Sequence, residues 1–240
     1  MKKVAFLSLV LALSLSSCYF DGWGTGISGN GNVVDDTRNV SGFSGLEVST
    51  GIDVYLTQGS EFEVVVEADE NLQEVILTEV KGDNLVVRTD HVNIRSAKSK
   101  KVHVTLPELT ELKISSAGDC VGQTPFQCRD LRISISSAGD LTLEVEADRI
   151  DLDISSSGDA RISGTASVVD ASLSSAGDLH AFDLVAGKVD VNVSSGGDAR
   201  VHATEEIDMT ASSAGNIYYM GDAKVAHSSS SSAGNIVHKN

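Results

Sequence analysis

The sequence predicts an all-β fold: a right-handed parallel β-helix, a solenoid of coils about 19 residues long, with an edge sheet or hairpin inserted near its N-terminal end. Three observations predict it. A Ser-Ser-Ala-Gly-Asp pentapeptide or a near copy recurs seven times, with its glycines at 118, 139, 158, 177, 197, 215 and 234. Such a spacing is the mark of stacked repeats, each burying its neighbour's apolar face. Between copies the apolar residues keep a period of two, as in strands with one buried side. The 240 residues include 22 Gly, 2 Pro and only 5% aromatics. A narrow coil interior accepts Val, Ile, Leu, Ala and Ser more readily than Trp.

The chain opens on an address. Met1-Lys2-Lys3 and the apolar run Val4 to Leu15 are too short to span a bilayer, and residues 1–17 read as a signal peptide. Leu15-Ser16-Ser17-Cys18 resembles a bacterial lipobox, so Cys18 is expected to carry the lipid and become the mature N-terminus. Two or three acyl chains anchor stably where one does not. Residues 18–37, glycine-rich from Tyr19 to Asn32, are expected to form a flexible tether. The expected location is the cell envelope, lipid-anchored to the outer membrane and facing either the periplasm or the outside.

The folded domain is expected over residues 38–237. Leu46, Val48 and the run Ser49-Thr50-Gly51-Ile52-Asp53 align with the later repeats, placing Gly51 in the alanine slot and Ile52 in the glycine slot of an imperfect first coil. Residues 57–109 interrupt the pattern. Phe62 to Val66 and Val75 to Val80 read as strands, and Lys81-Gly82-Asp83-Asn84 as a turn before Leu85-Val86-Val87. They are expected to form an edge sheet over the open N-terminal end. Regular repeats follow over 110–237. Counting back from Gly139 and Gly158 places Leu131, Ile133 and Ile135, then Ile150, Leu152 and Ile154, on the inward side. In the last coil these offsets fall on Ala226, Ser228 and Ser230, too small and polar for a core; a terminal cap or a self-association surface is expected there. Parallel crossovers are nearly always right-handed, which sets the expected hand.

The glycine motif has a conformational explanation. Glycine is expected at positive φ in the corner, with the serine two residues earlier facing inward and the Asp or Asn closing an Asx-type turn. Asp119, Asp140, Asp159, Asp178, Asp198, Asn216 and Asn235 should then stack as a ladder at one corner. Turn formation accounts for them. Calcium is the sharper alternative, because carboxylates stacked at a strand spacing of about 4.8 Å repel and oxygen ligands suit that cation. Calcium-binding rolls, however, use a denser nonapeptide.

A family resemblance rests on Gly42-Phe43-Ser44-Gly45-Leu46-Glu47-Val48, on Gly51-Ile52-Asp53-Val54-Tyr55-Leu56-Thr57-Gln58-Gly59, on Glu67-Ala68-Asp69-Glu70-Asn71-Leu72 and on the Ser-Ser-Ala-Gly-Asp/Asn repeats. Together these resemble the head GIN domain family across roughly residues 38–237. The resemblance implies a β-helical autotransporter adhesin head with no catalytic residues to carry over. The chain departs from an autotransporter in carrying no barrel, only the expected lipid anchor.

Composition and motifs exclude more than they assign. With 34 acidic against 18 basic residues and a net charge of −16, the chain lacks the basic face that nucleic acid requires. No Gly-x-Ser-x-Gly, P-loop or dinucleotide fingerprint occurs in a suitable context, and the six histidines lack metal-ligand spacing. No catalytic residue, metal site or cofactor is assigned. Cys120 and Cys128 can bridge in an oxidising compartment, or Cys120 can stand as a buried thiol. Arg95, Lys98, Lys100 and Lys101 form a basic cluster, either a solvated loop or a contact for acidic glycan or lipid headgroups. The resulting expectation is a non-enzymatic envelope lipoprotein, adhesin-like or structural. Its expected partners are the membrane and a glycan or an envelope or matrix protein, with oligomers allowed. The alternatives are a polysaccharide-active β-helix enzyme using Asp with Arg161 and Arg200, or a passive spacer.

Overall fold

The computed structural model describes residues 26–239. In chain order its strands are β1 (Ile27–Ser28), β2 (Val33–Thr37), β3 (Gly45–Val48), β4 (Asp53–Gln58), β5 (Glu63–Asp69), β6 (Ile76–Lys81), β7 (Asn84–Thr89), β8 (Ile94–Ser96) and β9 (Lys100–Leu106). The regular part continues with β10 (Glu111–Ile114), β11 (Asp119–Gly122), β12 (Phe126–Ile135), β13 (Asp140–Ile154), β14 (Asp159–Leu173), β15 (Asp178–Val193), β16 (Asp198–Ala211), β17 (Asn216–Met220), β18 (Lys224–Ser230) and β19 (Asn235–His238). The result is an all-β solenoid of about 7 turns, with parallel pairings about 19 residues apart. The period-two pattern drives it. Leu131, Ile133, Ile135, Leu141, Leu143, Ile150, Leu152 and Ile154 all point inward and are at most 3% exposed.

Two long parallel faces carry the stack. The first runs from β7 through β3 and β10 to the C-terminal halves of β12, β13, β14, β15 and β16, and ends on β18. The second runs from β9 through β4 and β11 to the N-terminal parts of β13 to β16, then β17 and β19. A shorter third run aligns Phe126, Val145, Gly164 and Leu184. Register shifts fall on this third run, between Arg161 and Gly164 and between Ala181 and Val185. They absorb the unequal lengths of successive coils.

The interruption is more than an edge sheet. β6 and β7 form the antiparallel hairpin that the Lys81–Asn84 turn predicts, and β2 and β5 add antiparallel strands outside β9. Yet β7 and β9 lie parallel to β3 and β4, forming a rung of the solenoid on the outer side of the first coil. Chain order and stacking order therefore differ here. Asp69 clasps this end. Its fully buried carboxylate accepts the amides of Lys98 (2.7 Å), Ser99 (3.2 Å) and Gly31. Burial works against its charge, but those three amides outweigh it and hold the carboxyl below its ordinary value.

Candidate functional site

The repeated turn positions every outward side chain on the second face, and its chemistry differs from expectation. The residues at positive φ are the serine and alanine, not the motif glycine: Ser137 (φ 52) and Ala138 (φ 59), Ser175 (φ 50) and Ala176 (φ 60), Ser213 (φ 49) and Ala214 (φ 63). Two positive-φ central residues define a type I′ turn, closed by the amide of Gly139 donating to Ser136 O at 3.1 Å. The serine expected to face inward is exposed, while the glycine is buried. Glycine is required by coil-to-coil approach. A Cβ on Gly139 would lie 2.8 Å from Ile114 Cγ2, and one on Gly177 2.9 Å from Ile154 O. Successive turns are tied by their own ladder, in which Ala138 N donates to Ser156 O and Ala214 N to Ser232 O, each at 3.1 Å.

Immediately after each turn comes the Asp/Asn ladder. Asp53, Asp119, Asp140, Asp159, Asp178, Asp198, Asn216 and Asn235 stand in direct register on consecutive rungs, with Lys101 beyond Asp53. The alignment of the imperfect first coil already carries Asp53 into this column, whereas Lys101, in the interruption, was not placed there by the sequence. Burial, then the neighbouring Asp53 and Asp140 carboxylates, raises the Asp119 carboxyl above its ordinary value. Towards the C-terminal end the repulsion is relieved. Asp178 Oδ1 accepts Asp198 N at 3.0 Å, and Asn216 Nδ2 donates to Asp198 Oδ1 at 2.7 Å. Among the described residues, no three His, Cys, Asp or Glu side chains converge where a metal ion could be held.

Two residues further along each rung lies a second outward row: His103, Tyr55, Val121, Thr142, Arg161, His180, Arg200, Tyr218 and Val237. The sequence marks Arg161 and Arg200 at one offset, and the structure sets His180 between them. His180 Nε2 lies 3.5 Å from Asp159, and Arg200 Nη2 lies 3.6 Å from Asp198. The Tyr218 ring sits beneath two cations, with Arg200 Cζ at 5.4 Å and Lys239 Nζ at 5.0 Å from its centroid. Sequence reasoning missed Tyr218, although it stands three residues after Gly215, the offset of Arg161 after Gly158.

The remaining expected sites sit as follows. Cys18 lies outside the described residues. Cys120 and Cys128 are both free thiols, so the bridge expected between them is not formed. Burial pushes Cys120 up to about 12 and Cys128 up to about 11, which keeps both protonated and unreactive. In the basic cluster, Lys101 Nζ lies 3.8 Å from Glu67 and 5.8 Å from the Tyr55 ring centroid.

A parallel solenoid with two outward rows in register, one of Asp and Asn and one holding Arg161, His180, Arg200 and Tyr218 among its members, defines the class: a repeat protein built around an extended outer surface. The chain belongs to the family described as "putative auto-transporter adhesin, head GIN domain", whose model matches residues 42–223. A solved structure of a "putative adhesin" from Bacteroides fragilis has 23% sequence identity and a TM-score of 0.83, covering 89% of this chain and 100% of that one. A "putative lipid binding protein" from Parabacteroides distasonis has 23% identity and a TM-score of 0.74, covering 89% and 99%. A "putative adhesin" from the same organism has 23% identity and a TM-score of 0.70, with the same coverage. These likenesses are of fold. No curated protein matches the chain.

Proposed function

We propose that this chain is a non-enzymatic, lipid-anchored protein of the cell envelope, whose second face recognises an extended ligand, either a glycan or a matrix or envelope protein. One observation carries the reading: Arg161, His180, Arg200 and Tyr218 stand in register on four consecutive rungs beside the Asp ladder. Rungs about 4.8 Å apart offer evenly spaced contacts along a ligand lying parallel to the solenoid axis. The family's description as an adhesin head and the adhesin names of the solved neighbours support a surface role. Anchoring through Cys18 follows from the lipobox.

The test is a binding screen of the full-length protein, in neutral detergent, against glycans and matrix proteins. The triple variant Arg161→Ser, Arg200→Ser, Tyr218→Ser serves as its control. A ligand whose affinity falls at least tenfold in the variant supports the assignment. Binding that survives the variant moves recognition to another face, and turnover of an acidic polysaccharide lost in Arg161→Ala would replace the reading with the enzyme. Loss of fatty-acid labelling in Cys18→Ser checks the anchor.

A further inference from the structure

The ladder of turns ends at the N-terminal side of the stack, and what lies beyond its last member is a cavity. Each regular coil passes from first face to second through four residues, but the outermost rung does not. Between Thr89 at the end of β7 and Lys100 at the start of β9 the chain swings outward, carrying β8, which pairs with β1. No turn stacks on Thr50–Gly51, and the space left is a cavity of about 700 Å³. Its walls include Arg88, His91, Asn93 and Lys100, with Thr50 and Gly51 as its floor.

The charge of this cavity is the reverse of the protein's. The chain carries −16, and the grooves along the solenoid contain Asp153 in one case and Glu146 with Asp148 in another. No carboxylate lines this cavity, whereas a guanidinium, an ammonium and an imidazole do. Its cations have partners outside the cavity wall: Arg88 pairs with Glu79, and the Lys100 charge favours the ionised form of Asp119. Glu79 lies 3.0 Å from Lys81 and 3.5 Å from Arg88 Nη2, and Arg88 Nη1 donates to Thr89 O at 3.3 Å; a guanidinium carries five N–H donors, more than these two contacts use. Lys100 Nζ lies close over the Thr50–Gly51 turn, 3.3 Å from where a Cβ on Gly51 would sit. Thr50 (φ 63) holds the left-handed backbone that every repeat turn takes at this position, and His91 (φ 48) holds it in the wall.

We propose that this cavity binds a phosphate group, carried either by an anionic lipid headgroup or by a soluble molecule. Arg88 supplies a planar fork of donors that suits phosphate oxygens, and Lys100, which also lines the cavity, supplies a compact charge. The site stands at the N-terminal end of the stack, apart from the outward rows invoked for recognition. It therefore stands or falls separately from them.

The experiment titrates the full-length protein in neutral detergent with inorganic phosphate, at ionic strength held constant with chloride, and follows the thermal midpoint. A saturable rise is expected for the wild type. Its apparent dissociation constant should increase at least tenfold in Lys100→Gln and in Arg88→Gln. The midpoints of the variants without phosphate show whether they fold, and Lys98→Gln, outside the cavity wall, should behave as wild type. Co-sedimentation with vesicles of neutral phospholipid, with and without anionic phospholipid, separates the two sources. Vesicle binding lost in Lys100→Gln identifies the headgroup, and phosphate binding without it identifies a soluble ligand. No saturable rise, or a rise equal in wild type and both variants, overturns the proposal.

Discussion

Glycine is used in two ways at the residue scale, and only one is written in the motif. The Ser-Ala pair, not the glycine after it, takes the left-handed backbone, and the chain twice substitutes Gly in the alanine slot, at Gly51 (φ 65) and Gly196 (φ 78). Ala176→Gly should therefore be tolerated and stabilise by up to about 1 kcal/mol, because αL strain is relieved. A fall in the thermal midpoint would contradict this. The motif glycines are needed for space, so Gly139→Ala should cost about 2 kcal/mol by pressing on Ile114. Gly164 lies outside the motif. Its φ is +112, and a Cβ there would stand 2.1 Å from Val145 O, so Gly164→Ala should cost more, about 3 kcal/mol. Denaturant midpoints of the two variants rank them. Nothing in the repeat marks Gly164, because the need arises from a register shift between coils and not from the turn.

Among elements, the regular strands were legible because their register repeats with the motif, and the offsets that place Ile150, Leu152 and Ile154 inward hold in the structure. The rung made by β7 and β9 was not legible. Leu85 and Val87 are as buried as any repeat residue, but no Ser-Ser-Ala-Gly turn follows them to signal a coil. The last coil was legible by the weakness of its pattern. All seven residues of β18 are exposed, and β18 pairs on one edge only, with β16. In stacked repeats each coil draws stability from its neighbours, so a terminal coil that buries little opens first. Hydrogen exchange should show amides of β18 and β19 exchanging at least a hundredfold faster than those of β13 to β15. Equal protection across the stack would mean that the solenoid opens only as a whole.

Across the whole molecule the dominant electrostatic fact is charge aligned in rows. Asp53 to Asp198 form one row, and Asp151, Asp170, Asp190 and Asp208 form another on the first face. Burial, then Asp170 and Asp208, raises the Asp190 carboxyl, as burial and the flanking carboxylates raise Asp119. The sign follows from linkage. A carboxyl whose folded value lies above its unfolded value binds its proton more tightly in the native state, so ionising it destabilises the fold, and that penalty disappears as pH falls towards the ordinary value of 3.8. Asp119→Asn, the residue the chain itself uses at 216 and 235, should raise the thermal midpoint at pH 7, with the gain gone below about pH 4. Asp69 moves oppositely. Its lowered carboxyl supports the fold at neutral pH, and that support is lost as pH falls through its folded value. Repulsion along rows is also screened by salt, with a Debye length of about 8 Å at physiological ionic strength and 3 Å at 1 M. Raising sodium chloride from 0.15 M to 1 M should therefore stabilise the wild type, and stabilise Asp119→Asn less. Calcium separates screening from coordination. The carboxylates stand one per rung without three converging on a point, so calcium chloride and sodium chloride at equal ionic strength should shift the midpoint alike. A saturable calcium rise of several degrees beyond the sodium control, reversed by chelator and lost in Asp140→Asn, would instead make the ladder a cation site formed across neighbouring rungs.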